Sequence, residues 1–217
     1  KPLFEKCLEI EYYGEEGETF AKLADIADKQ GDKTKCQEYL EQAFLNFPQS
    51  QSILIGLINL YMTSGDDTDR LFELLASAKA NEPGNASLYY VEGNIKAQLG
   101  NVEGAVEAYE QCAKINPAYE FGYIGEGQMF YNKAIEIQEK AANEMDDAKY
   151  MKLVGEFEYA LKSCIAPFEA AFGITQDAGV KVAVAEYLKN ACFRFRTESK
   201  EMSDKYKMYD EYVAANR

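Results

Sequence analysis

The 217-residue chain contains no histidine and no tryptophan. It is also short of positive charge, with 23 basic residues against 37 acidic ones and a net charge of −14. Each shortage excludes something. Without His there is no Ser-His-Asp or Cys-His machinery and no common His-ligated zinc site. Neutralising phosphates needs clustered Lys and Arg, so nucleic acid is not an expected partner. The five cysteines (Cys7, Cys36, Cys112, Cys164, Cys192) are odd in number, widely spaced and free of any CxxC pair. Neither a zinc ribbon nor a thioredoxin-type redox site fits them; they are expected to be free and buried. No apolar run is long enough to span a bilayer. No metal, cofactor or catalytic residue is implied.

What the chain has is apolar content and repetition. Hydrophobic residues make up 47 % of it, too many for a disordered chain. The length suits one substantial domain or a repeat array. Gly31, Gly65 and Gly100 lie 34 and 35 residues apart, and Pro48, Pro83 and Pro117 lie 35 and 34 apart. Each Gly separates two amphipathic stretches, and each Pro follows the second. Gly accepts the left-handed backbone that ends a helix, and Pro has no amide to continue one.

Within the stretches, apolar residues recur at helical spacing. First helices carry Phe20, Leu23, Ala24 and Ala27; then Leu54, Leu57, Ile58 and Tyr61; then Tyr89 and Gly93. Second helices carry Cys36, Leu40 and Ala43; then Leu71, Leu75 and Ala78; then Ala105, Tyr109 and Cys112. Small residues let backbones approach, and bulky ones fill the space between units.

This period and pattern resemble the tetratricopeptide repeat, most strongly from Gly17 to Tyr119. The resemblance implies an all-α, right-handed superhelix of about five and a half helix pairs. The expected organisation is a single array over 1–217. It starts with the second helix of a truncated repeat at 1–16. Repeats at 17–51, 52–85 and 86–119 follow, then an elongated repeat at 120–177 and a capping pair at 178–217. The step from Gly127 to Cys164 is about 25 residues longer than its counterpart in the preceding unit. A helical hairpin broken near Asn143 to Asp147 and lengthened by about three turns per helix is therefore expected. Pro167 should kink or join its second helix. Asp177 and Ser203 are candidate caps for the last two helices.

Two acidic stretches fit no metal site. Glu11, Glu15, Glu16 and Glu18 lack the ligand ladder of a calcium loop. Asp66, Asp67 and Asp69 read as turn and cap residues.

First helices usually line the concave binding wall of such arrays. Asp25, Asn59, Asn94 and Gln128 recur at intervals of 34, 35 and 34 residues. They are expected to form a polar ladder able to bind the backbone of an extended peptide. Tyr90, Tyr131, Gln98 and Asn132 flank it. The groove holds almost no Lys or Arg beyond Lys29, so the family's carboxylate-clamp function is not expected. Tyr131 to Lys133, Ile135 to Asp147 and the Ala166 to Phe172 segment are similar to those of secreted, cell-envelope repeat proteins of Bacteroides-type bacteria. That resemblance implies a signal peptide and a periplasmic or envelope location; the chain opens in a second-helix pattern (Phe4, Cys7, Leu8), so a first helix is expected upstream of Lys1. The expected function is a non-enzymatic scaffold binding a protein or extended peptide. The alternative is a glycan- or small-ligand-binding envelope protein, for which the 16 Tyr would suit sugar stacking.

Overall fold

The computed structural model describes residues 2–9, 13–14, 17–48, 50–64 and 68–216. The described residues form helices and connecting turns, with no strand among them. Gly65, Asp66 and Asp67, and the acids Glu11, Glu15 and Glu16, lie outside the described residues. Two compact units divide the chain, Lys1–Glu92 and Gly93–Arg217.

The first unit holds α1 (Pro2–Glu9), α2 (Glu18–Lys29), α3 (Lys33–Asn46), α4 (Gln51–Ser64), α5 (Thr68–Asn81) and the first half of α6 (Ala86–Gln98). Its core is the periodic stripe of the sequence: Phe20, Leu23, Ala24 and Ala27 of α2, then Cys36, Leu40 and Ala43 of α3. Leu57 and Tyr61 of α4 and Leu71, Leu75 and Ala78 of α5 are buried as well. The side chains of Leu54 and Ile58 lie outside those described. Each fully buried Leu or Phe contributes about 1.5–3 kcal/mol. Leu40 fills the space left by Gly56, where a Cβ would lie 2.9 Å from its Cδ2.

Turn chemistry ends these helices. Gly31 has φ 74°, and its amide donates to Asp28 O at 2.9 Å while the Asp32 amide donates to Ala27 O at 2.9 Å. Gly100, with φ 76°, does the same after α6. A left-handed residue at this point lets two amides satisfy the last carbonyls of the helix. Asp32 then caps α3 through Lys35 N.

The second unit holds the remainder of α6 and then α7 (Val102–Ile115), α8 (Glu120–Ala142), α9 (Asp147–Ser163), α10 (Ile165–Ile174), α11 (Ala178–Phe195) and α12 (Lys200–Asn216). Helix α8 has 23 residues against 13 in α6, or about 15 Å more at ~1.5 Å per residue. It stops at Asn143, and Asp146 caps α9 through Lys149 N at 2.9 Å. The partner of α8 is two helices rather than one long one. The break falls at Cys164, three residues before Pro167. Proline lacks an amide and its ring clashes with the carbonyl four residues back, so the ladder is interrupted just upstream of it. Phe168, Cys164, Leu188, Ala191 and Phe195 form the centre of the core around this join. Asp177 caps α11 through Val180 N at 2.8 Å. The cap of α12 is Ser199, whose hydroxyl accepts from Met202 N at 3.1 Å. Ser203, the expected cap, already lies inside the helix.

Candidate functional site

The polar ladder residues have different surroundings. In the first unit, Asp25 is exposed on α2 and accepts from Lys29 Nζ at 2.7 Å. Asn59 is exposed on α4, and Tyr90 is half-buried on α6. In the second unit, Asn94 is engaged inside its own helix pair, since the Tyr109 hydroxyl donates to its Oδ1 at 2.7 Å. That bond orients the amide and leaves its NH2 group as the remaining donor. Tyr131 meets Tyr187 edge-on with centroids 4.9 Å apart and packs on the core. Gln98 is exposed at the end of α6. Gln128 and Asn132, four residues apart, share one face of α8 and are half-buried and exposed respectively. Ladder positions are therefore of two kinds: those that fix helices together and those that face outward.

A concavity lies elsewhere in the second unit. It is a cleft of about 940 Å³ between α7, the middle of α8, and α9. Its floor is apolar, with Phe130, Ile137 and Ala160 rooted in the core. Val102 and Val106 of α7 form one wall, and Gly155 and Tyr159 of α9 the other. Tyr159 is 75 % exposed, an unusual state for a ring beside an apolar floor. The lengthening of α8 creates this space, because α9 pairs with the extra turns of α8. The signal was present in the sequence as two i, i+4 pairs, Val102/Val106 and Gly155/Tyr159. The first sits on a face outside the core stripe, and the second lies inside the inserted segment.

A third constellation joins α3, α4 and α5. The Tyr61 hydroxyl donates to Glu41, Gln37 Nε2 donates to Glu41 Oε1 at 2.8 Å, and Arg70 reaches Glu41 Oε2 at 3.1 Å. Burial pushes the Glu41 carboxyl up, but these donors outweigh it and hold the group below the ordinary glutamate range. Burial and the neighbouring carboxylate raise the Tyr61 phenol. Such a network ties the three helices together.

The cysteines are free thiols. Burial pushes Cys164 up to about 12 and Cys192 up to about 11. A thiol held protonated in this way is a poor nucleophile. Among the described residues, no group of His, Cys, Asp or Glu side chains could hold a metal ion. No helix of the described residues is long and apolar enough to cross a membrane.

Comparison with known proteins reaches the same architecture. The tetratricopeptide-repeat family is matched over residues 17–49 and 86–119. A TPR repeat-containing protein of Methanocaldococcus jannaschii is 41 % identical over 63 residues, which is 29 % of this chain and 11 % of that protein. The chain thus spans about a tenth of that curated relative's length. Among solved structures, MamA superposes with a TM-score of 0.51 at 15 % identity, covering 91 % of this chain and 89 % of MamA. A monomeric mutant of IFIT1 with Gppp-AAAA gives a TM-score of 0.58 at 16 % identity, covering 99 % of this chain and 45 % of IFIT1. At such identities the likeness is one of fold. Taken with the Gly-punctuated helix pairs and their buried periodic stripes, the two matched segments carry the tetratricopeptide repeat, and the described residues form an all-α fold.

Proposed function

We propose that the chain is a non-enzymatic interaction module that takes a protein or an extended peptide on the outward faces of its first helices. Tetratricopeptide arrays generally mediate protein–protein contact and scaffolding. The observation that carries the reading here is the free pair Gln128 and Asn132 on α8. Neither makes a side-chain hydrogen bond among the described residues, and both sit on a helix whose other face is locked into the core. Amides donate and accept at once, so they can bind the backbone of a peptide of any sequence. Gln98 of α6, exposed at the end of its helix, offers the same chemistry. A charge of −14 favours neutral or basic partners and opposes a phosphate backbone. A location in the cell envelope goes with the resemblance of the elongated repeat to secreted proteins, and fractionation of the source cells tests it.

The test of the binding face is a peptide array probed with the full chain and with the variant Gln128→Ala/Asn132→Ala. The variant should lose binding by about tenfold while its thermal stability stays within about 0.5 kcal/mol, as is usual for outward-facing positions. Undiminished binding by a folded variant would remove these residues from the site. A chain that ignores all peptides and binds glycans would favour the ligand-binding alternative.

A further inference from the structure

The cleft between α7, α8 and α9 is a second surface, on elements other than the outward face of α8 that carries Gln128 and Asn132. We propose that it docks an amphipathic helix from a protein partner, with a basic edge towards α7 and an acidic edge towards α8. This rests on the chain being an interaction module, but not on the amide face.

Charge complementarity selects the occupant. Glu103 and Glu107 line the α7 wall one helical turn apart, about 6 Å along the axis. Neither has an ion-pair or hydrogen-bond partner among the described residues, whereas Glu110, one turn further on, is bound by Lys114 at 3.4 Å. Across the cleft, Lys133 of α8 is exposed and has no carboxylate partner among the described residues. Lys152 of α9 is already satisfied by Glu156 at 3.6 Å. The open charges therefore form two acids at helical spacing on the α7 wall and a base on α8, beside the apolar floor. A helix lying along α7 with Lys or Arg four residues apart meets Glu103 and Glu107 in register. Its apolar stripe then covers Val106, Phe130 and Tyr159, the arrangement by which grooves generally capture amphipathic helices. An extended strand brings one apolar row rather than the stripe needed to cover Val106, Phe130 and Tyr159. A second copy of the chain is disfavoured by its net charge of −14.

Gly155 supplies the decisive variant. A Cβ there meets nothing within 4 Å, and the residue lines the cleft. Gly155→Trp should fill the cleft while improving helix propensity, so loss of binding will not come from unfolding. The probe is a fluorescein-labelled synthetic helix of about 18 residues with a Leu stripe, a Lys edge and a Glu edge. Binding to the full chain is read by anisotropy at ~0.15 M salt, where surface charges are screened beyond ~8 Å. The probe should bind, and a version with Ser in place of Leu should be at least about tenfold weaker. Gly155→Trp should abolish binding. Glu103→Lys/Glu107→Lys should weaken it about tenfold, while the same charge change at Asp204→Lys/Glu211→Lys, exposed on α12 and outside the cleft lining, should alter it less than about twofold. Several outcomes overturn the proposal: no binding, equal binding by the Ser version, binding that survives Gly155→Trp, or equal losses from both charge pairs. A concentration-dependent dimer that Gly155→Trp dissolves would assign the cleft to a second copy and overturn it too. If the peptide array succeeds and the helix probe fails, only the cleft falls.

Discussion

Tyr109 shows how single residues set the spacing of this protein. Its ring lies between two helices that have both dispensed with a side chain: a Cβ at Gly93 would lie 2.3 Å from Tyr109 Cε1, and one at Gly125 would lie 2.5 Å from it. Its hydroxyl is held by Asn94, so the ring has no room to swing aside. Glycine inside a helix costs about 1 kcal/mol relative to Ala. Here the cost is offset by burying an aromatic ring that is 2 % exposed. Gly93→Ala and Gly125→Ala should each destabilise the fold by about 1–3 kcal/mol, as overpacked cores do. Gly155→Ala, with open space around it, should stabilise by about 0.5–1 kcal/mol. Urea denaturation of the three variants checks the contrast, and a stable Gly93→Ala protein would mean that Tyr109 is not clamped. The amide at 94 was legible in the sequence as a polar ladder rung. Its bond to Tyr109 was not, because nothing in the 34-residue period says whether a polar side chain reaches inward or outward.

Between helices, the polar network on Glu41 ties α3 to α4 and α5. The carboxyl sits below its ordinary value of 4.5 in the folded protein. The unfolded chain therefore binds more protons in the window between the lowered value and 4.5, and stability rises with pH through it. Above 4.5 the stabilisation is complete, and it is lost as pH falls through the folded value. Glu41→Gln keeps an acceptor for Tyr61 but loses the charge on its hydrogen bonds, a change of about 1 kcal/mol near neutrality. Wild type and variant should differ most at pH 6–7 and converge as the pH falls below the lowered folded value; equal gaps at all pH values would sink the assignment. The elongated repeat is the other lesson at this scale. The turn formers at Asn143 to Asp147 and Pro167 were readable in order, so the segment was visibly longer and interrupted. The exact break at Cys164, and the cleft that the extra turns of α8 open beside α7, depend on which helix packs on which.

At the scale of the whole molecule, 37 acids spread over a helical surface produce a field that long-range measurements can read. Association with the Lys-edged probe helix should be fast at low salt, with an on-rate that falls about tenfold between ~0.05 and ~0.5 M salt. Stopped-flow anisotropy measures this, and a salt-independent rate would show that the charge plays no part in recognition. Two properties followed from the sequence alone: the all-α class and most of the buried stripe positions, Tyr89 being half-buried and Leu54 and Ile58 lying outside the described side chains. Both are local matters. Helix periodicity, Gly and Pro punctuation and capping side chains act within a few residues, and a repeat states them several times over. The absence of His and the wide cysteine spacing likewise argue against whole classes of chemistry at the level of composition. The tertiary structure alone decided which polar side chains are engaged and which are free. It also decided that the chain packs as two compact units, and that an inserted stretch creates an apolar cleft rather than merely a longer hairpin. These depend on contacts between residues tens of positions apart. One turn more or less in α8 moves every side chain beyond it onto a different neighbour, and no local rule of the sequence records which neighbour that is.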